Sequence, residues 1–369
     1  MKSTSMGTET QTGAAERPAF EWVDDASLPN TLRLPAKAER MLVLNDVSEA
    51  TLATPQVAGW LADPDTRVAA GGSNVVFATP RIAKAAIITA TDWSAVPTDA
   101  GAIELSVEAG MGLDALVRAT AGRGWFGLEA LAEIPGTVGA APMQNVGAYG
   151  TEIADRTRWV EVWDRRERRI ERFARNACDF SYRSSRFKRE PDRWLILRVG
   201  LRLSATPPAD WPPVAYPGVD KAVADWSART GRARSAMSPA EYADVITTVR
   251  LAKLPDWRGG WPGSAGSFFH NPVVAPEVAA RLSRRWPDMP RFDAPGGVKI
   301  PAGWLIETAG LKGRREGAVA VSSRHALVLE HHGGASGAEF LRFAESVRDR
   351  VEDETGIRLV VEPECVTDR

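Results

Sequence analysis

Apolar positions along the chain change period several times, and each change predicts a change of element. Met41-Leu42-Val43-Leu44, Val68-Ala69-Ala70 and Ala86-Ile87-Ile88 are short apolar runs between polar or glycine residues, the pattern of short strands. Ile103-Glu104-Leu105-Ser106-Val107-Glu108 alternates strictly, so it predicts a strand with one buried and one wet face, because successive side chains point to opposite sides. From Gly112 to Arg123 the spacing of Leu113, Leu116 and Val117 becomes helical. Trp194-Leu195-Ile196-Leu197-Arg198-Val199 is apolar on both parities and predicts an inner strand. Two helices carry their own start signals. Ser238, Pro239 and Glu241 supply the N-cap, N1 and N3 residues of a helix running to about Lys253. Ser336 and Glu339 repeat that box before a helix burying Phe340, Phe343, Val347 and Val351. Leu359-Val360-Val361 predicts a short closing strand before Glu362-Pro363-Glu364. Mixed elements without an internal repeat predict an α+β protein.

Interruptions in the pattern set the larger organisation. Met1 to Arg17 are small, polar and aperiodic, which predicts a tail. Pro207 to Pro217 is proline-rich and reads as a loop or domain boundary, since proline removes ladder donors. A length of 369 residues, with 44% hydrophobic and 25% charged positions, provides enough apolar surface for about two to three domains. Lys and Arg total 46 against 47 acidic residues, for a net charge of −1, which removes the usual electrostatic ground for nucleic-acid binding. The run Arg165-Arg166-Glu167-Arg168-Arg169 predicts a solvated hairpin face. Cys178 and Cys365 are the two cysteines, so a reducing, cytoplasmic setting is expected rather than a disulfide framework. No apolar leader and no run of about 18 apolar residues is found, so a soluble, unanchored protein is expected. Four histidines and two cysteines lack metal-ligand spacing, and no metal site is predicted.

Candidate chemistry begins with two glycine clusters. Between Ile134 and Gly150, the residues Pro135, Gly136, Gly139, Ala140, Gly147 and Tyr149 surround Gln144 and Asn145. Small residues let backbone amides approach a large anion such as a dinucleotide phosphate, with the two side-chain amides beside it. Gly71-Gly72-Ser73-Asn74 follows a predicted strand and is made for the same kind of contact. Neither cluster is a G-x-G-x-x-G opening a helix, so a nicotinamide-type dinucleotide fold is not indicated, and each also reads as a plain tight turn. Around Gly266-Ser267-Phe268-Phe269-His270-Asn271-Pro272 a hydroxyl stands between glycine and two aromatics. Such a serine is either a proton donor in a dry site or an incidental residue of a buried strand.

These blocks, taken with Phe180-Ser181-Tyr182-Arg183, Phe187-Lys188, Lys253-Leu254-Pro255, Ala302-Gly303-Trp304-Leu305-Ile306, Leu311-Lys312-Gly313 and Glu362-Pro363-Glu364, occur in one order from Asn30 onward. In that order the chain resembles UDP-N-acetylmuramate dehydrogenase, also called UDP-N-acetylenolpyruvoylglucosamine reductase, the MurB flavoenzymes. Tyr216 and the Phe-Phe-x-Asn-Pro form resemble the first of the family's two types. The resemblance implies a two-subdomain FAD-binding fold of the vanillyl-alcohol-oxidase (PCMH) type plus a third α/β substrate-binding domain. It implies subdomains at 18–90, with 359–369 returning to it, and at 91–240, followed by the substrate domain at 241–358.

The resemblance further implies that NADPH reduces a noncovalent FAD, which passes hydride to the enolpyruvyl group of UDP-N-acetylglucosamine enolpyruvate in a cytoplasmic, monomeric enzyme. A histidyl-flavin bond is not expected, because the first histidine is His270, beyond the flavin loops. The Ile134 to Gly150 loop, Gly71 to Asn74 and Tyr182 are implied to contact the flavin cofactor, and Lys253, Tyr216 and Asn271 the nucleotide of the substrate. Arg183, Glu364 and Ser267 are implied to carry the reaction. Their types suit it: hydride addition to an enol ether conjugated with a carboxylate builds charge that a permanent, bidentate cation stabilises. Serine is a weak acid, so it protonates C2 only against a strongly basic carbanion in a water-poor site. Glu364 polarises the carboxylate as a neutral acid or orients other donors. Three positions depart from the family pattern: Ala70 for glycine, His270 where lysine or another polar residue is frequent, and Cys365-Val366 after Glu364. Cys365 is expected to be a buried, inert thiol. These departures leave a related reductase of another enolpyruvyl ether as the alternative.

Overall fold

The computed structural model describes residues 9–11, 17–99, 101–214 and 216–367. They form two compact units. The first takes its described residues from Met1–Ala26, Ala38–Gly71 and Ala83–Arg250, and the second from Ser27–Lys37, Gly72–Ile82 and Leu251–Arg369.

The first unit is built on an antiparallel sheet in the order Glu9–Gln11, Trp93–Pro97, Ala102–Glu108, Trp194–Ser204, Thr157–Asp164, Arg169–Ala174. Strict alternation in Ala102–Glu108 buries Ile103, Leu105 and Val107 and leaves the glutamates half-buried, as the sequence predicts. Trp194–Ser204 is an inner strand packed on both faces. Leu195 and Leu197 join one apolar cluster, and Ile196, Val199, Leu201 and Leu203 the other. The change of parity has a local cause: Glu161 pairs with Arg198 but Val162 with Ile196, so Leu197 is the extra residue of a bulge. Helices Leu113–Ala121, Pro217–Thr230 and Pro239–Leu251 cover one face. On the other, helix Pro55–Ala62 and the sheet Phe20–Ser27, Lys37–Leu44, Arg81–Ile88, Thr66–Ala69 enclose Leu42, Leu44, Val57, Leu61 and Ala86.

The second unit holds an antiparallel sheet, Gly263–Ser267, Val328–His331, Val319–Val321, Arg315–Glu316, and a three-stranded one, Val273–Val274, Gly297–Lys299, Phe292–Ala294. Helices Pro276–Arg285, Ala302–Thr308 and Gly337–Thr355 complete it. The last begins with the predicted box, Ser336 and Glu339 capping each other's backbone, and buries Phe340, Phe343, Val347 and Val351, each side chain contributing about 1.5–3 kcal/mol. Glu364–Val366 runs parallel to Val75–Phe77.

Four expectations are revised. Part of the expected tail, Glu9–Gln11, is an edge strand; residues 1–8 and 12–16 lie outside the described residues. Helix Pro239–Leu251 starts with the predicted Ser238–Glu241 box but buries Tyr242, Ile246 and Val249 in the first unit, so the units divide after Arg250 rather than at 240. The closing strand lies at Glu364–Val366, because Val361 makes only an isolated bridge with Phe269 while Val75–Phe77 offers a free edge three residues later. Arg165, predicted to be solvated, is 3% exposed. Its Nε donates to the Leu61 carbonyl at 2.6 Å and its Nη2 to those of Asp63 and Thr66 at 3.0 and 2.8 Å, whereas Arg166 to Arg169 face solvent on the hairpin. A buried guanidinium persists there because carbonyls satisfy its donors.

Candidate active site

In the first unit the Ile134 to Gly150 loop is held by backbone bonds to the preceding turn. Leu113 donates to the Gly136 carbonyl (3.0 Å), Val138 to Met111 (2.7 Å) and Gly139 to Ala109 (2.9 Å). This stitching allows no side chain at Gly139, where a Cβ would lie 2.5 Å from the Ala109 Cβ. Gly71 is also tightly placed: a Cβ there would lie 3.0 Å from the Gly136 Cα. Two bare backbones packed in this way bring main chain of two separate segments side by side, so their amides can converge on one diphosphate, and the residues fit a flavin dinucleotide. Ile134 is buried and anchors the loop, whereas Pro135, Gly136 and Ala140 are half-buried. At its far end Gly147–Ala148 and Thr151–Glu152 form a hairpin whose two turn residues, Tyr149 and Gly150, have φ of 51° and 85°. That is the signature of a tight primed turn.

Asn145 departs from the expected role. Its side chain faces inward, 1% exposed, with Nδ2 donating to the Glu152 carboxylate (2.5 Å) and the Ser181 carbonyl (3.2 Å), while Oδ1 accepts from the Ala154 amide (3.2 Å). It fixes the loop rather than presenting an amide outward. Gln144 beside it is half-buried.

The same bonds bring Arg183 to the loop. Ser181 and Ser184 exchange backbone bonds of 3.0 and 3.1 Å, and Ser185 Oγ donates to the Met143 carbonyl at 2.7 Å. Arg183, at φ 53° in this turn, donates from Nη1 to the Gly147 carbonyl (3.4 Å), and its guanidinium carbon lies 5.5 Å from the ring of Tyr182, which is exposed. Tyr216, exposed at the start of helix Pro217–Thr230, meets Tyr149 edge to face with centroids 5.6 Å apart. Burial raises the Tyr149 phenol, opposed by the charge of Arg250 and its hydrogen bond. Arg250 also donates to the Glu133 carbonyl at 3.3 Å, and burial lowers its own pKa. Sequence reasoning missed Arg250. Its only signal is a cation in the last turn of a helix ahead of Lys253.

Ser267 and Glu364 belong to the second unit. Ser264 pairs with Glu330 and Ser267 with Val328, so Ala265 and Gly266 form a bulge, with Gly266 at φ 70°, that turns the strand end. Phe268 and Phe269 drop into the core, but Ser267 itself is exposed, contrary to the dry setting expected from its neighbours' apolar character. Glu364 is exposed on its strand, with its amide donating to the Asn74 carbonyl at 3.0 Å. Asn74 Nδ2 in turn reaches the Glu362 carbonyl at 3.5 Å. Gly72 accepts from the Thr31 amide (3.3 Å), and Ser73 is half-buried.

Lys253 is exposed in the turn following Leu251. Burial, then the Lys253 charge, lowers the pKa of His325. Asn271 serves the fold, since its Oδ1 accepts from the Ala302 amide at 2.8 Å, at the start of helix Ala302–Thr308. Cys365 is exposed rather than buried, yet partial burial of its thiol and the neighbouring Glu364 raise its pKa, which disfavours thiolate. Cys178 is buried, with its thiol pushed up to about 12.

Comparison with known proteins bears on both units. Residues 63–171 match the family model of an FAD binding domain, and residues 258–366 that of the UDP-N-acetylenolpyruvoylglucosamine reductase C-terminal domain. The chain is therefore an α+β flavoprotein oxidoreductase with a separate C-terminal part. Curated relatives include the UDP-N-acetylenolpyruvoylglucosamine reductase of Azoarcus sp., 41% identical over 90% of this chain and 94% of that protein. The Pseudomonas aeruginosa enzyme of that name is 41% identical over 80% of this chain and 84% of its own length. The chain belongs to the UDP-N-acetylenolpyruvoylglucosamine reductase family. Its fold is that of the crystal structure of the Thermus caldophilus enzyme, at a TM-score of 0.60 and 23% identity, covering 94% of this chain and 99% of that one.

Proposed function

We propose that this chain converts UDP-N-acetylglucosamine enolpyruvate to UDP-N-acetylmuramate, a step of peptidoglycan precursor synthesis, with NADPH as reductant. The observation that carries the reading is 41% identity over 90% of the chain to a relative bearing the reductase name. When bound, FAD supplies the hydride and is recharged by NADPH. Arg183 holds the enolpyruvyl carboxylate, with its charge available where negative charge develops as hydride arrives at C3. The C2–C3 π pair then moves toward C2 and the carboxylate; Ser267 gives its Oγ proton to C2 and recovers one from solvent. Glu364 polarises or orients the carboxylate. Lys253 and Tyr216 bind the diphosphate and uridyl portion, and Asn271 contributes through its Nδ2, since its Oδ1 already holds the Ala302 amide.

Backbone of the Ile134 to Gly150 loop and of Gly71 to Asn74 holds the FAD noncovalently, with Tyr182 beside it. The proposal includes a flavin part of two subdomains within the first unit, which runs to Arg250, and a monomeric, cytoplasmic protein whose two thiols stay reduced. Among the described residues no helix is long and apolar enough to cross a membrane. An anaerobic experiment tests the activity: reduce the bound flavin with NADPH, add UDP-N-acetylglucosamine enolpyruvate and record the flavin absorbance. Reoxidation with formation of UDP-N-acetylmuramate is expected. Reduction without reoxidation would transfer the proposal to a different enolpyruvyl ether.

A further inference from the structure

We propose that His270 and Glu362 are a positioning pair that sets the register between the segments carrying Ser267 and Glu364, an inference that rests on the functional reading above. Two stretches of the second unit meet here. Phe269 bridges Val361 in antiparallel fashion, the His270 amide donates to the Val360 carbonyl at 2.9 Å, and the Glu362 amide donates to the Phe268 carbonyl at 3.0 Å. Ser267 immediately precedes this bridge, and Glu364 follows Glu362 by two residues.

A single bridge specifies register weakly, and a slip of one residue would send every side chain on that segment to the opposite face. Side chains supply what the short ladder lacks. His270 pairs in backbone with Val360, so Glu362 is its diagonal neighbour, on the same face and within reach. The His270 Nδ1 lies 3.5 Å from the Glu362 carboxylate, and the side chains are 26% and 8% exposed. At that distance the interaction is electrostatic rather than a short hydrogen bond. A slipped register would part the two groups and leave a buried carboxylate without this counter-group, which is costly. The pair therefore favours the one alignment in which the Ser267 hydroxyl and the Glu364 carboxylate keep fixed places on their strands. Position 270, one of the departures from the family pattern, thereby acquires a role.

The test uses the FAD-loaded enzyme with His270→Gln, Glu362→Gln and His270→Lys. Each glutamine variant is expected to lower kcat about tenfold, the scale of a small misplacement of a reacting group, with the NADPH KM and NADPH-driven flavin reduction unchanged. The solvent deuterium isotope effect on kcat should rise, as proton delivery becomes slow. His270→Lys places a donor and permanent cation opposite Glu362 and should return both quantities to within roughly twofold of the native values. Native kcat and isotope effect in both glutamine variants would overturn the pair, and so would His270→Lys failing alongside His270→Gln. If His270→Gln does not fold, Glu362→Gln and His270→Lys give the same decision. Ser267→Ala separates the two levels. Normal turnover there sinks the functional reading whatever the pair does, whereas an inert Ser267→Ala with native glutamine variants sinks the pair alone.

Discussion

The loop from Ile134 to Gly150 and the strand ends carrying Ser267 and Glu364 solve different problems with different parts of the chain. The loop is shaped by main chain: three backbone bonds to residues 109–113, a meeting of Gly71 with Gly136, and an Asn145 side chain turned inward to hold the bend. At the strand ends the main chain is simple, a bulge at one and a parallel pair at the other, and what is distinctive is an exposed hydroxyl and an exposed carboxylate. A diphosphate is recognised by fixed amides that any residue supplies, so such a site is vulnerable to added atoms. A proton transfer needs one functional group, so that site is vulnerable to lost atoms.

Substitutions put this contrast to the test. Ser267→Ala removes a single oxygen and should lower product formation by about 10²–10⁴-fold, the usual worth of a positioned acid, while NADPH still bleaches the flavin and the melting temperature holds. Unchanged turnover would remove Ser267 from the chemistry. Gly139→Val adds atoms where a Cβ already stands 2.5 Å from the Ala109 Cβ, so it should cost about 1–3 kcal/mol of stability and release flavin on gel filtration. A stable, fully yellow variant would mean that the loop is less constrained than its bonds imply. Asn145→Ala leaves the Ala154 amide without its partner, at a cost of about 1–3 kcal/mol, and should lower the melting temperature first and flavin occupancy only as a consequence. Flavin loss at native stability would instead make Asn145 a direct cofactor contact. Lys253→Ala should raise the KM for the nucleotide substrate about tenfold with little change in kcat; a pure kcat defect would contradict a binding role.

Legibility in the sequence follows the same contrast. The periodicities of Ala102–Glu108 and Trp194–Ser204 and the boxes at Ser238 and Ser336 report local rules, and the structure has the corresponding strands and helices. The glycine clusters are visible for the same reason, since a missing Cβ is written in the sequence. Arg165 escapes such rules because its burial depends on carbonyls of Leu61, Asp63 and Thr66, about a hundred residues away, which no local charge pattern records. Asn145 escapes them because a polar residue among glycines serves equally well facing in or out. The displaced strand at Glu364–Val366 shows an apolar run, Leu359 to Val361, overridden by the availability of an edge. Glu364 becomes a candidate only through family resemblance, and for Ser267 the flanking glycine and aromatics leave proton donor and incidental residue both open until the resemblance is added.

The parallel pairing of Glu364–Val366 with Val75–Phe77 joins residues about 290 positions apart in the chain. During translation at about 5–20 residues per second, Val75–Phe77 leaves the ribosome about 15–60 s before its partner strand has been made. For that interval an apolar strand with open ladder donors stands as an edge, the kind of surface that invites pairing with the wrong chain. Glu364 comes into place in the same late event. Placement of that carboxylate and closure of that edge are therefore simultaneous, so under the role proposed for Glu364 a nascent chain stays inactive for as long as it remains sticky.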